Sequence, residues 1–408
     1  MRRLPVAFAG LLSLMVAAVA GVGGTGAAAS SSAAAASASA AVRTVLGPGV
    51  LDGPSGIALD TAGDLFVADT GHCRVLVVPS RAGVLDGLQV RPGHATALVG
   101  GACTGHGSIG HPSGVAVDGH GDLYIAEATA QRVQEVRAGS HAAVTVAGTG
   151  VAGFNGDGLA ATGSQLNEPT GVAVDTAGDV FIADTANCRV RVLPATTTTL
   201  FGLSVTAGHL ATVAGTGVCG SAGQGGPTAS AQLSNPVAVT LDTAGDLLVA
   251  DSGDQSVLLE PVHGGSFWGS PVGTGDIGVI VGGTGGYGPY VIDGLPANGP
   301  AAELNDPRGL AIGPRGALYV SDGFMHVIRV VPAVSETILG RAMTAGDLYT
   351  AAGALPVTDA AGTNDGTRWI GTQMGTPAGL AVSRSGGVYY ADAGASTVRV
   401  LDSGGGAS

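Results

Sequence analysis

The stretch that decides the fold is Pro169–Leu193, PTGVAVDTAGDVFIADTANCRVRVL. It holds three short runs rich in β-branched and aromatic residues, at 170–174, 180–184 and 189–193, and such runs favour strands. The turn between the first two runs has the pattern Asp-x-x-Gly-Asp. In such a turn glycine supplies a positive φ and aspartate binds nearby backbone amides. The stretch therefore predicts three consecutive antiparallel strands joined by tight turns.

The same frame occurs six times, beginning at Pro54, Pro112, Pro169, Pro236, Pro307 and Pro377. The spacing is long enough for four strands with insertions. A fourth β-rich run follows each of the first five triplets, at Thr96–Gly101, Val144–Gly148, Ala211–Gly215, Gly278–Gly282 and Leu348–Gly353. Internal repetition of this kind indicates a repeat architecture, so the length of 408 residues does not imply several domains.

The sixth triplet ends at Val398–Leu401 with no fourth run after it. The missing copy precedes the first triplet, where Arg43–Leu46 has the pattern of the other fourth strands. We expect strand 43–46 to pair beside strand 397–401 and close a ring. The sequence thus predicts an all-β fold, a six-bladed β-propeller of four-stranded blades. Closure leaves only short, protected strand edges.

The frame Pro-x-Gly-[Val/Ile/Leu]-Ala-[Val/Leu/Ile]-Asp, followed by Gly-Asp, a β-rich run ending in Ala-[Asp/Glu], and Arg-Val, resembles the NHL repeat over residues 42–403. The segment 146–158, VAGTGVAGFNGDG, is similar to bacterial extracellular NHL proteins. Gly313 and Ser383 depart from the frame at its first aspartate, and Ala238 replaces the strand glycine. We expect those blades to be looser but in register.

The N-terminus predicts export. Arg2 and Arg3 precede an apolar run, Leu4–Ala20, and then small residues, as in a secretory signal. We expect a signal peptide within residues 1–29, an Ala/Ser-rich linker at 30–41 and the propeller at 42–408. An uncleaved single-span anchor is the alternative, because the run is near the minimum length for spanning. The predicted location is secreted or cell-envelope, with no membrane contact beyond the export signal.

The charge balance argues against nucleic acid as a partner. The chain has 17 basic and 30 acidic side chains, for a formal net charge of −13. Phosphate backbones are bound mainly through Lys and Arg. The mean hydropathy of +0.39 and a charged fraction of 12% also argue against a disordered chain.

The four cysteines fall into two equivalent pairs. Cys73 and Cys188 precede the third strand of their repeats, and Cys103 and Cys219 follow the fourth. In an antiparallel pair the start of one strand lies beside the end of the other. This predicts the disulfides Cys73–Cys103 and Cys188–Cys219. A metal site or free thiols are the alternative, but no Cys-x-x-Cys occurs, and export implies an oxidising compartment in which disulfides form.

An acid ends the second strand of every repeat: Asp69, Glu127, Asp184, Asp251, Asp322 and Asp392. Six equivalent acids could form a ring that binds a cation or amine. Alternatively, each caps the following turn, and in three repeats an arginine five residues later could bridge it. Those expected pairs are Asp69/Arg74, Glu127/Arg132 and Asp184/Arg189.

The insertions before the first strands are the most distinctive loops. Three of them contain Asp-Gly, and we predict Asp157, Asp293 and Asp365 as candidates for binding a ligand such as a cation or sugar hydroxyl. The alternative is that Asp-Gly only turns the chain.

No catalytic set is recognisable. The nine histidines lie mainly in predicted turns and loops, without His-Glu-x-x-His, and no Gly-x-Ser-x-Gly occurs. We therefore predict no catalytic residue, no metal ligand and no cofactor. The sequence favours a module that binds a protein, peptide or glycan at its loop-rich face. The resemblance to NHL proteins leaves an alternative, because some propellers related to them, such as the amidating lyases and the lactonases, hold a metal in the central channel: a metal-dependent lactonase or lyase acting there.

The cysteine pairing can be tested directly. Proteolysis of the unreduced protein and mass spectrometry of its peptides should recover only 73–103 and 188–219 linkages. Finding a 73–188 or 103–219 linkage would contradict both the pairing and the strand assignment.

Overall fold

The computed structural model describes residues 41–85, 88–101, 103, 109–283, 291–353, 357–359 and 373–402. The predicted signal peptide and all but the last residue of the predicted linker lie outside them. No helix among these residues is long and apolar enough to cross a membrane.

Six four-stranded antiparallel sheets form the blades, and we letter their strands a to d from the central channel outwards. In blades 1 to 6, strand a is Ile57–Leu59, Pro112–Val117, Pro169–Val174, Pro236–Leu241, Pro307–Ile312 and Pro377–Val382. Strand b is Leu65–Asp69, Leu123–Glu127, Val180–Asp184, Leu247–Asp251, Leu318–Asp322 and Val388–Asp392. Strand c is Arg74–Val78, Arg132–Val136, Arg189–Leu193, Ser256–Glu260, Val327–Val331 and Thr397–Asp402. Strand d is Thr96–Gly100, Ala143–Ala147, His209–Ala214, Asp276–Gly282, Asp347–Gly353 and Ala41–Leu46.

Smaller elements decorate the blades. The c–d connections of blades 1, 3, 4 and 5 form hairpins: Gly83–Leu85 with Leu88–Val90, Thr198–Leu200 with Leu203–Val205, Gly265–Phe267 with Ser270–Val272, and Glu336–Ile338 with Arg341–Met343. Two-residue strands lie outside strand d in blades 3, 4 and 5: Leu159–Ala160, Gly226–Pro227 and Leu295–Pro296. Val291–Asp293 pairs in parallel with Val357–Asp359. Short 3₁₀ helices are Ala161–Gly163, Thr185–Asn187, Thr228–Ser230, Ser252–Asp254 and Pro314–Gly316.

The first strand in the described part of the chain, Ala41–Leu46, lies at the outer edge of the last blade. Val42 is paired with Leu401 and Arg43 with Val400 in antiparallel register. One hydrophobic cluster also joins Val67 of blade 1 to Ala391 of blade 6. Blades 1 and 6 are thus neighbours, and the predicted six-bladed propeller of four-stranded blades is confirmed.

Alternation along strand b builds the core. Phe181 packs in a cluster with residues of blade 4, whereas Ile182 packs in one with residues of blade 2. Successive side chains of a strand point to opposite faces, and here both faces are covered by a neighbouring blade. The run is therefore continuously apolar rather than alternating, and all five residues of strand b in blade 3 are buried.

The two aspartates of the a–b turn have separate roles. Asp175 Oδ1 accepts the backbone N–H of Ala177 at 2.9 Å and of Asp179 at 2.8 Å, which holds the turn. Asp179 Oδ1 accepts the N–H of Ala195 at 2.7 Å and so ties the turn to the end of strand c. In blade 6, where Ser383 replaces the first aspartate, its Oγ accepts the N–H of Gly387 at 2.9 Å. The departing blade therefore keeps the same turn.

Both predicted disulfides are present. Cys73 and Cys103 have Cα atoms 5.1 Å apart, and those of Cys188 and Cys219 are 5.3 Å apart. Each bond links the residue before strand c to the loop that follows strand d. Disulfides persist in oxidising compartments, so the two bonds suggest an extracytoplasmic location.

The glycine of strand a sets how closely the blades approach at the channel. A Cβ built on Gly114 would lie 2.5 Å from the carbonyl oxygen of Thr170 in the next blade, and one on Gly171 would lie 2.7 Å from that of Val237. These contacts are with backbone, which cannot rotate away. At Gly114 and Gly171 the blades can therefore meet at this spacing only because no side chain is present, whereas blade 4 has Ala238 at the equivalent position.

Substituting Gly114→Ala should lower the free energy of unfolding by roughly 1–3 kcal/mol, because overpacking forces the two inner strands apart. Urea denaturation of the disulfide-intact protein measures it. Gly163→Ala is the matched control, since a Cβ there meets nothing within 4 Å. Equal effects of the two changes would contradict the close inter-blade packing.

Candidate functional site

The six strands a surround a central channel of about 620 Å³. Most of its lining residues are glycine, alanine, valine, leucine and isoleucine. Hydroxyl groups near one end bond across the blades: Ser55 Oγ donates to Ser113 O at 2.7 Å, and Thr170 Oγ1 donates to Val237 O at 2.8 Å. Polar groups with free access therefore concentrate at the channel's ends rather than along its wall.

One end of the channel carries charged and amide side chains, and we call it the mouth: Glu168, Asn235, Asp306 and Arg308. It lies where strands a begin, on the same face as the b–c turns and the d–a loops. Glu168, Asn235 and Arg308 are exposed. Arg308 Nε donates to Asp306 Oδ2 at 2.5 Å.

The backbone at the mouth is unusual. The residue just before the first proline of strand a has positive φ in blades 2 to 5, at 49° for His111, 52° for Glu168, 61° for Asn235 and 68° for Asp306. A residue with a side chain seldom adopts this conformation. Such residues persist only where the surroundings hold them, and they concentrate at functional sites.

The acid at the end of strand b holds this backbone in every blade. Its carboxylate accepts an N–H from two residues before the proline, at 2.7–3.0 Å: Asp52 to Asp69, Gly110 to Glu127, Asn167 to Asp184, Ser234 to Asp251, Asn305 to Asp322 and Gly375 to Asp392. All six acids are completely buried. They form no exposed acidic ring, and their contacts are those of a structural element that positions the mouth.

Most of these buried acids have an arginine beside them. Asp69 accepts from Arg74 Nε at 2.7 Å and Glu127 from Arg132 at 3.1 Å, as predicted. The prediction for blade 3 is wrong: Asp184 lies 3.6 Å from Arg191, while Arg189 lies over the ring of Phe154. Arg189 and Arg191 are two residues apart and lie on the same face of strand c. Arg191 also lies 2.9 Å from Asp157 of the d–a loop, which holds it beside the acid.

Blades 5 and 6 also use the third residue of strand c. Arg399 lies 3.8 Å from Asp392. Arg329 is buried in blade 5, and the charges of Asp293 and Asp322 oppose the lowering of its pKa by burial. Blade 4 differs from the other five, because it has Ser256 and Leu258 at the two arginine positions.

The d–a loop aspartates contact those arginines. Asp157 Oδ1 lies 2.9 Å from Arg191 Nη2 and accepts from Thr212 Oγ1 at 3.0 Å. Asp293 is buried, pairs with Arg341 and accepts the N–H of Thr350 at 2.8 Å. Both aspartates thus make contacts within the blades, and ligand binding by Asp157 and Asp293 stays a prediction. Asp365 lies outside the described residues.

Burial changes the proton affinity of several carboxyls. It raises the pKa of Asp322 to about 7 and that of Glu260 to about 8. Burial, followed by the charge of Asp254, raises the pKa of Asp251. Asp251 and Glu260 both lie in blade 4, which lacks the arginine of the other blades.

Only one group of three potential metal ligands converges among the described residues, Cys73, Cys103 and His111. Its two cysteines form a disulfide, so they do not offer thiolates. Within the described residues, the channel lining has carboxylates only at its mouth, in Glu168 and Asp306, and no histidine.

The mouth residues were not among the sequence candidates. Glu168, Asn235 and Asp306 directly precede the first proline of strand a, and Arg308 directly follows it. The residue before this proline differs in every repeat, whereas the proline itself recurs. Only the closed ring brings three of these positions together at one mouth.

The fold and mouth define the class, a six-bladed β-propeller with a polar channel entrance. A model of the NHL repeat matches residues 51–78 and 166–193. The chain is thus a six-bladed β-propeller that contains NHL repeats. Over 81 residues it is also 38% identical to Protein SUPPRESSOR OF QUENCHING 1, chloroplastic, of Arabidopsis thaliana. The matched stretch is 20% of this chain but only 8% of that protein.

Solved propellers share the fold at low identity. An auxiliary nutrient binding protein from Bacteroides thetaiotaomicron has a TM-score of 0.56 at 12% identity, covering 88% of this chain and 75% of that one. A protein of unknown function from the same organism has a TM-score of 0.56 at 16% identity with the same coverage. A gluconolactonase from Xanthomonas campestris has a TM-score of 0.52 at 14% identity, covering 90% and 92%. These likenesses concern the fold alone.

Glu260→Gln should change how stability depends on pH. Burial raises the pKa of Glu260 in the folded protein, so the stability that its carboxyl contributes is full at low pH and is lost as pH rises from about 4.5 to about 8. Over this interval the free energy of unfolding of the variant should therefore rise relative to that of the wild type, by on the order of 4 kcal/mol at the upper end. Urea denaturation at several pH values measures it. Glu135→Gln, on strand c of blade 2, is the control, and a parallel pH dependence of wild type and Glu260→Gln would refute the assignment.

Proposed function

We propose that this propeller is an extracytoplasmic binding module that takes a protein, peptide or glycan ligand at the mouth of its channel. The observation that carries the proposal is a repeated backbone site with non-repeated polar side chains. The same left-handed position holds His111, Glu168, Asn235 and Asp306 in successive blades. Three of them, Glu168, Asn235 and Asp306, line the channel mouth with side chains of different chemistry.

The chemistry of the mouth suits a ligand with hydrogen-bonding groups. Glu168 supplies a carboxylate, Asn235 an amide that donates and accepts, and Arg308 a guanidinium already paired with Asp306. Such a mixed set can bind sugar hydroxyls or peptide groups. Convergent polar groups at the entrance of an otherwise apolar cavity are typical of ligand sites.

The fold is compatible with binding and with enzymatic chemistry, since propellers similar in fold include a nutrient binding protein and a gluconolactonase. Binding is favoured here because the described channel lining offers two carboxylates at its mouth and no histidine. A catalytic metal commonly has three protein ligands. The lactonase or lyase alternative is kept as an outcome of the test.

Glycan and peptide arrays probed with the mature protein would identify the ligand class. Glu168→Gln and Asn235→Ala should each weaken binding of a captured ligand at least about tenfold, the loss expected for a buried hydrogen bond to a charged or amide group. Titration calorimetry measures the affinity.

Asp402→Asn is the matched control, because Asp402 is exposed at the opposite end of strand c. Its affinity should equal that of the wild type. If the Glu168 and Asn235 variants bind normally, the mouth is not the site. Lactone hydrolysis that depends on a stoichiometric metal would favour the enzymatic alternative.

A further inference from the structure

Blade 4 holds a pair of carboxylates without the arginine that accompanies the equivalent acid elsewhere. Asp251 ends strand b, and Asp254 lies in the turn that follows. Arginine occupies the first residue of strand c in blades 1 to 3 and the third in blades 3, 5 and 6. In blade 4 these residues are Ser256 and Leu258. A buried carboxylate needs a compensating charge, because removing it from water is costly.

Three oxygens converge on one point beside these carboxylates. The amide nitrogen Nε2 of Gln224 lies 2.9 Å from Asp254 Oδ2, 3.3 Å from Asp251 Oδ2 and 3.2 Å from the carbonyl oxygen of Gln232. A primary amide has only two hydrogens for these three acceptors. The amide is therefore a poor substitute for a cation at this point.

A second, separate observation also points to a ligand. Ser256 is completely buried, and its Oγ has no hydrogen-bond partner among the described residues. Ser256 is the direct cross-strand partner of Asp251, so the two side chains lie on the same face of the sheet. At the equivalent residue of blade 1, the Arg74 guanidinium bonds to Asp69. The hydroxyl of Ser256 thus lies where the other blades place a positive group.

We propose that blade 4 binds a Ca²⁺ ion between Asp251, Asp254, Ser256 and the carbonyl oxygen of Gln232. A turn of the Gln224 side-chain amide would bring its Oε1 to the ion in place of the nitrogen, since the two ends of the group are nearly the same in shape. The donor set is then entirely oxygen and has two carboxylates, which suits Ca²⁺, an ion that takes six to eight oxygen ligands. Asp254 and Gln224 are half-buried, which leaves a path from solvent.

The ion would also act on the channel mouth. The other oxygen of Asp251, Oδ1, accepts the N–H of Ser234 at 2.7 Å, and Ser234 precedes Asn235. Gln224 and Asn235 belong to the same d–a loop, which Cys219 also anchors through its disulfide. A bound ion would therefore hold this loop, and with it Asn235, in place. The site itself does not depend on what the mouth binds.

Titration calorimetry of CaCl₂ into the mature, EDTA-treated protein tests the site. We expect one ion per chain, with a dissociation constant on the order of 0.1–1 mM, as in extracellular calcium modules. The melting temperature should rise with Ca²⁺ concentration, because an ion that binds only the folded state stabilises it. Failure of the wild type to bind Ca²⁺ at several times this concentration would overturn the proposal.

Two variants locate the ion. Asp254→Asn should weaken Ca²⁺ binding at least about tenfold. Ser256→Arg restores the arginine of blades 1 and 2, so it should abolish the Ca²⁺ response while raising the melting temperature of the ion-free protein. The second variant gains a contact, which keeps the test informative if Asp254→Asn folds poorly.

Asp402→Asn is the matched control and should bind Ca²⁺ like the wild type. Binding that survives both blade 4 variants would overturn the proposed site. Loss of binding in Glu168→Gln but not in Asp254→Asn would place the ion at the mouth and also overturn it.

Discussion

The structure depends on the contact between a buried acid at the end of strand b and the backbone before strand a. Six carboxylates make it, each completely buried and each accepting an N–H at 2.7–3.0 Å. A carboxylate hydrogen-bonded to a backbone amide is stronger than a neutral pair. The contact fixes where the chain enters the channel wall and forces the next residue into a rare conformation in blades 2 to 5. One interaction thus fixes both the start of strand a in each blade and the residues displayed at the mouth.

The carboxylate of this contact is a buried negative charge that each blade must balance. Blades 1 and 2 use the first residue of strand c, and blades 3 and 6 use the third. The first and third residues of a strand share a face, so an arginine at either position can reach the acid. The acidic d–a loops of blades 3 and 5 then balance the extra arginine, through Asp157 and Asp293. Blade 4 follows neither solution, and this asymmetry distinguishes it within an otherwise regular ring.

Packing explains why the repeat has so little freedom elsewhere. Strand b is covered on both faces, so nearly all of its side chains before the final acid are apolar. The strand-a glycine meets backbone of the next blade within 3 Å. Variation is therefore confined to loops and to the residue before strand a, where side chains meet solvent. This is the usual division between a rigid scaffold and the loops that carry function.

The sequence by itself determined the four main strands of each blade, the number of blades and the cysteine pairs, because each follows from short-range pattern or from strand order. Turn chemistry and continuous apolar runs are local, and the unmatched strand before the first triplet indicated how the first and last repeats pair. The tertiary structure alone decided which arginine meets which acid. It placed Arg191 rather than Arg189 beside Asp184. It also brought Glu168, Asn235 and Asp306 together from three repeats at one mouth. Those relations depend on side-chain direction and on the closure of the ring, and neither is encoded in the spacing of residues within one repeat.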